Sequence, residues 1–270
     1  MMRPLFDSHA HYHDSHFYDP ALGIGRDELL SRLFAEEICG VVNVGTDLDD
    51  SRAAAELAER FEPMYAAAGI YPSSCPLRDD SSFVRETLEK LETLLKHPTI
   101  IAIGEIGLDF HYDTVPKPVQ RIWFEAQLEL AERVGLPVII HSRDAHGLTA
   151  EILKNHPGVR GVLHSYSGSA ETAAELTRFG WFFSFSGVVT FQNAKKLASV
   201  VPTIPDDRLL IETDAPYLTP VPFRGRINHS GYLRYTAEQI AQLRHTDPDT
   251  VADLTRRNAE ALFGISVKTS

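Results

Sequence analysis

Cysteine is nearly absent from these 270 residues: Cys39 and Cys75 stand alone and form no C-x-x-C pair, so no disulfide framework is expected. No apolar run approaches the length of a membrane span, and the stretch ahead of His9 holds no hydrophobic leader. A soluble protein located in the cytoplasm is therefore expected. A basic excess is lacking too. The formal net charge of -11 argues against a broad cationic surface for gripping nucleic acid. It leaves such a substrate open, because acids gathered around divalent cations count toward the same total. No glycine-rich phosphate loop follows the first apolar run, which disfavours a doubly wound nucleotide-binding sheet. No repeat, low-complexity tract or long linker divides the chain, so residues 1–270 read as one domain, with no obligate protein partner and a monomer as the default.

What is present is alternation. Short apolar runs recur at Leu5-Phe6, Val41–Val44, Met64–Ala68, Ile100–Ile103, Pro137–Ile140, Gly161–Leu163, Trp181–Phe185 and Leu209–Ile211. Most are too apolar to expose a face to water, as strands of a helix-covered parallel sheet must be. Between them, stretches 26–38, 50–60, 81–96, 119–134, 143–155, 170–179 and 192–200 carry apolar residues three and four apart, the spacing of a helix with one buried face. Asp50-Ser51 and Ser81-Ser82 offer helix starts, and Gly135-Leu136-Pro137 and His97-Pro98 offer stops. This predicts an α/β fold, a (β/α)8 TIM barrel. Two C-terminal helices over 232–263, broken near Asp247-Pro248, complete it.

Barrel enzymes place their chemistry at the C-terminal ends of the strands. His9 and His11 end the first run, and one intervening residue puts both imidazoles on one face. Glu105 follows the fourth run, His141 the fifth, His164 the sixth and Asp214 the eighth. Any one of these alone is better read as a buried histidine or a turn-forming acid. Together, four imidazoles and two carboxylates at one rim suit two divalent ions held by nitrogen and oxygen. Zinc or manganese fits histidine-rich ligation, and magnesium often serves phosphodiester cleavage.

The stretches Phe6–His11, Gly104–Asp109, His141–Ala145, His164–Gly168 and Glu212–Leu218 together resemble the TatD family of metal-dependent deoxyribonucleases, a branch of the amidohydrolase superfamily. The resemblance implies that His9, His11 and Asp214 hold one metal, His141 and His164 the other, and Glu105 bridges them. It implies hydrolysis of DNA, most readily single-stranded, by a metal-activated water, with Asp214 taking the proton. Glu212 either orients water or a ligand, or hydrogen-bonds behind a ligand. Asp7 is expected on the opposite side of its strand from His9.

Substrate contacts are expected from Arg143, two residues past His141, and from Arg224 and Arg226 after the last run. Tyr71, His111, Tyr112, Tyr166 and Tyr217 follow strand ends and either stack on bases or anchor loops. His13 and His16 are expected to be exposed. Where family members carry an Arg-Asn-Glu-Pro-like stretch, this chain has Arg226-Ile227-Asn228-His229-Ser230, without the acid and the proline. Two other functions fit the same residues: a bimetal hydrolase of carboxylic esters or amides such as aminoacyl esters, and a catalytically silent metal-binding interaction protein.

Overall fold

The computed structural model describes residues 3–78, 80–112 and 114–268. Eight parallel strands, β1 (Leu5–Ala10), β2 (Ile38–Val44), β3 (Met64–Ala68), β4 (Ile100–Asp109), β5 (Val138–Arg143), β6 (Gly161–Leu163), β7 (Phe182–Phe185) and β8 (Leu209–Ile211), pair in sequence order. The seam is drawn together just beyond β8: Asp214 N donates to His9 O (2.9 Å), His11 N donates to Ala215 O (2.7 Å), and Ala10 bridges Ala215. Seven helices fill the crossovers: α1 (Arg26–Glu36), α2 (Leu48–Ala58), α3 (Ser81–Leu94), α4 (Lys117–Val134), α5 (His146–Lys154), α6 (Ala170–Thr177) and α7 (Lys195–Val200). Then α8 (Leu233–Arg244) and α9 (Pro248–Phe263) follow, so the expected barrel and its two terminal helices are both found.

The local starts differ from the sequence reading. Asp47, in extended backbone, caps α2 by accepting from Asp49 N and Asp50 N, while Asp50 turns back to Thr46. Likewise Asp80, not the serine pair, caps α3 by accepting from Phe83 N. A cap must sit outside the helix with its oxygen over free amides; Asp80, just ahead of Ser81, and Asp47, three residues ahead of Asp50, do so. β5 runs on through Arg143, which delays α5 to His146. β4 continues through the whole Gly104–Asp109 motif, since Gly107 N–Cα geometry (φ +140°) lets the strand pass His141, whose carbonyl oxygen would lie 2.0 Å from any Cβ there.

One apolar cluster draws one residue or more from every strand: Phe6, Val42, Ala67, Ala102, Ile139, Val162, Phe182 and Leu210 are among them. This is the filled interior of the barrel. Ala259, Leu262 and Phe263 of α9 join the same cluster, with the Phe263 ring 6.4 Å from Phe6. The last helix therefore stoppers one end of the barrel with hydrocarbon, burying side chains that together stabilise the fold by several kcal/mol, at about 1.5–3 kcal/mol each. The opposite end carries the polar strand termini.

Candidate metal centre

All six expected ligands meet at that polar end. Glu105 is buried, and its two oxygens face different partners. Oε1 lies 2.7 Å from His141 Nδ1 and 2.8 Å from His164 Nε2. Oε2 lies 3.4 Å from His9 Nε2 and 3.8 Å from His11 Nε2. Asp214 Oδ1 adds itself to the second group, 3.6 Å from His9 and 3.4 Å from His11. Two sets of donors, His9–His11–Glu105 and Glu105–His141–His164, each offer atoms within 4.8 Å of one another.

Acceptors behind the rings settle which nitrogen faces inward. Val44 O accepts a hydrogen bond from His11 Nδ1 (2.7 Å), Asp109 Oδ2 from His141 Nε2 (3.1 Å), and Glu212 Oε1 from His164 Nδ1 (3.2 Å). Each leaves the other nitrogen aimed at the centre, the arrangement that fixes a ligating imidazole. His9 Nδ1 and Glu212 Oε2 are buried without a partner.

Charge supports the same conclusion. Burial alone would raise Glu105, yet the positive charge of His164 and hydrogen bonds from His141, His164 and His9 hold its carboxyl well below the usual range. Burial would lower His164, but Glu105 and Glu212 pull it well above the ordinary imidazole value. Asp214 and Glu105 similarly overcome burial to bring His11 up to about 9, whereas burial and the His164 charge lower His9. A buried carboxylate centre of this kind requires positive charge close by. Protons on imidazoles supply it here, and divalent cations held by the inward nitrogens meet the same requirement, so the residues fit the metal.

Some functional residues were not singled out from sequence. Asp109 closes the Gly104–Asp109 motif, and it holds His141 and accepts from Tyr71 OH (3.0 Å). Its signal was an acid at a strand end beside a candidate ligand. Glu212 takes the position behind a ligand. Asp7 accepts from Thr213 N (2.9 Å), Thr213 Oγ1 (2.6 Å) and Ser230 Oγ (2.6 Å), away from the cluster. Strict alternation would have placed it beside His9; the register shift between Asp7 and Ala10 separates them. Burial, against these hydrogen bonds, raises its carboxyl to about 6.

His13 corrects an expectation. Its side chain is only 6% exposed, with Nε2 3.0 Å from Asp50 Oδ1 and Nδ1 3.2 Å from Asn43 Oδ1, because α2 turns Asp50 toward the rim. His16 is exposed as expected, bonded to Asp14. Asn228 staples the altered loop by donating to Thr213 O and Tyr217 O, and Ser230 ties it to Asp7 and Tyr12.

Two clefts open onto the centre and share His141, His164, Arg143, Asp214 and Leu218. The larger, about 490 Å³, has Tyr71, Tyr112, Tyr217, Asp14 and Asp50 in its walls. The smaller, about 270 Å³, is walled by Ser142, Ser165, Ser167, Ser186, Val188 and Leu197. Arg143 stands exposed over the Tyr112 ring (5.0 Å) and does not pair with Asp144, which bonds His111 instead. Tyr112 and Tyr217 are 50% and 45% exposed, while Tyr166 is buried and anchors its loop through Ser169 O. Arg224 and Arg226 line neither cleft; they lie over Phe191 and Phe223.

Comparison with known proteins places this geometry in context. The family model described as TatD related DNase matches residues 6–264. The chain is 43% identical over 264 residues to the uncharacterized metal-dependent hydrolase YabD of Bacillus subtilis, covering 97% of this chain and all of that protein. It is 35% identical over 257 residues to the 3'-5' ssDNA/RNA exonuclease TatD of Enterobacter lignolyticus, covering 92% of this chain and 96% of that one. The crystal structure of YjjV, a TatD homologue from Escherichia coli K12, superposes with a TM-score of 0.86 at 30% identity, covering 98% of this chain and 100% of that one.

Proposed function

The chain belongs to the TatD-related DNase family of metal-dependent hydrolases, and from that premise we propose that it hydrolyses phosphodiester bonds of single-stranded nucleic acid, DNA foremost, from a 3' end. The observation that carries this reading is the carboxylate of Glu105, whose two oxygens serve two separate groups of inward-facing imidazole nitrogens. His9, His11 and Asp214 would hold one divalent ion, His141 and His164 a second, with Glu105 between them; zinc, manganese or magnesium suits the set. Bound there, the ions would polarise the phosphoryl oxygen, acidify a water and offset charge on the leaving oxygen.

The chain's own groups do the rest. Asp214 lines both clefts, and hydrogen bonding from His11 holds its carboxyl below the ordinary value against its burial, so it is ionised and can accept a proton from the attacking water. Asp109 and Glu212 hold His141 and His164 in the ligating tautomer. Arg143, over the shared edge of the clefts, meets the non-bridging phosphate oxygens. The names of the relatives support phosphodiester hydrolysis over the carboxylic-ester and the silent readings. We take residues 1–270 as one hydrolase domain acting as a monomer in the cytoplasm; no helix among the described residues is long and apolar enough to cross a membrane.

The test is hydrolysis by metal-reconstituted protein of end-labelled single-stranded DNA beside a small ester panel, with Asp214→Asn alongside to exclude a contaminating nuclease. DNA cleavage that disappears in the variant is expected. Ester turnover without DNA cleavage would overturn the substrate assignment.

A further inference from the structure

The two clefts differ in charge. Apart from Arg143, which both share, the larger cleft has no lysine or arginine in its walls, and it carries Asp14 and Asp50 in addition to the central acids. Asp14 is fixed by Tyr217 OH (2.7 Å), Asp50 by His13 and Thr46. The smaller cleft adds no acid beyond the central cluster, and its walls are hydroxyls and hydrocarbon.

Beyond the smaller cleft the surface turns cationic. Lys196 of α7 donates to Ser167 O (2.9 Å) at the cleft wall, with Lys195 beside it. The loop after β8 packs on the same segment, since Val221 N donates to Thr190 Oγ1 (2.9 Å). That contact sets Arg224 over Phe191 (3.7 Å to the ring centre), and Arg226 lies over Phe223 (5.5 Å). None of these four cations forms an ion pair among the described residues, whereas Arg32 of α1 and Arg133 of α4 on the outer helices and Arg60 just past α2 all do. On a protein of net charge -11, four cations without an ion pair beside one cleft, two of them resting on aromatic rings, are a distinct surface. Free cations interleaved with rings are what a single-stranded backbone requires of a surface it runs along.

Resting on the proposed nuclease reading, we infer that the strand crosses the rim with a fixed polarity. Its terminal nucleoside occupies the larger cleft against Tyr112 and Tyr217, and the remaining backbone leaves past the smaller cleft over Lys195, Lys196, Arg224 and Arg226. Asp14 and Asp50 face the end of the chain, where a free hydroxyl is tolerated and a further phosphate is repelled. Attack from an end is then a consequence of charge placement around the centre, with no lid required.

The experiment compares a 20-nucleotide DNA strand with a dinucleotide, using metal-loaded wild type and the Arg224→Ala/Arg226→Ala double variant, whose fold is checked by thermal midpoint. For the long strand KM should rise about tenfold with kcat unchanged, and the salt slope of binding should become shallower by about two. The dinucleotide should change less than about twofold, since it does not reach the cationic surface. Equal losses on both substrates, or none on either, would overturn the track. In parallel, a strand ending in a 3'-phosphate should be cut at least about tenfold more slowly than its hydroxyl twin, and Asp14→Asn should narrow that gap. Equal rates at the two ends would overturn the polarity. A wild type that turns over esters and cuts neither DNA substrate would remove the nuclease reading itself, and this inference with it.

Discussion

The two ends of the barrel are built from the same eight strands and hold opposite chemistry. At one end Phe263 and Leu262 of α9 press against Phe6 and its neighbours, and the core is hydrocarbon throughout. At the other, four imidazoles and several buried carboxylates crowd together, and His9 Nδ1 and Glu212 Oε2 are left without a partner. An unpaired buried polar group destabilises a fold by about 1–3 kcal/mol, so the polar end draws on stability generated at the apolar one. The division teaches that substitutions should separate by location: those at the stopper alter folding, and those at the rim alter turnover.

The sharpest trial of that division is Glu105→Gln, which keeps the shape and removes the shared charge. Turnover should fall roughly a thousandfold or more, with bound metal reduced in parallel by elemental analysis, while the urea midpoint stays close to wild type. Full activity would show that the bridge is dispensable. Next, Phe263→Ala should lower stability by about 3–5 kcal/mol in urea titration, through lost transfer energy and a cavity. Its activity per folded molecule should match wild type; a folded but inactive variant would break the comparison. Asp109→Asn should weaken metal retention or activity by about 10–100-fold, because the acceptor behind His141 loses its negative charge, with little change in melting temperature.

The smallest expected effect tests whether the functional end also carries ordinary stability. Burial lowers His229 from 6.5 to about 4, and its Nδ1 accepts from Gly231 N (3.2 Å) beside the Tyr232 ring. Between those values the unfolded chain binds a proton that the folded chain refuses. The His229 contribution is thus complete above pH 6.5, declines as pH falls toward 4, and is constant below that. A loss of order 1–3 kcal/mol is expected across this window, and His229→Gln should flatten it. Parallel pH–stability curves for the two proteins would remove His229 from the account.

Much of this was legible in the chain itself, for a physical reason. Apolar runs such as Ile139-Ile140 and Val162-Leu163 are buried on both faces, so the strands announced themselves, and the six expected ligands lie from one to five residues past such runs, His141 and His164 directly after theirs and His11 five past Phe6. What escaped depends on contacts between distant segments. Val44 supplies a backbone carbonyl to His11, and no side chain marks it. His13 is buried only because Asp50, on another crossover, turns toward it. Arg143 is itself the last residue of β5, whereas Arg224 and Arg226 ride a long loop after β8 that packs onto the single helical turn at Gly187–Thr190 and lines neither cleft. The positions of Asp47 and Asp80 as caps turned on one to three residues of backbone direction, which periodicity does not resolve.

The seam between β1 and the segment after β8 sets an order of assembly. His9 O and His11 N are tied to Asp214 N and Ala215 O, so the first strand is completed by residues made about two hundred positions later. Until that segment and the α9 stopper emerge, His9 and His11 have neither Asp214 nor a closed rim. A growing chain therefore carries its histidines long before it has a working centre.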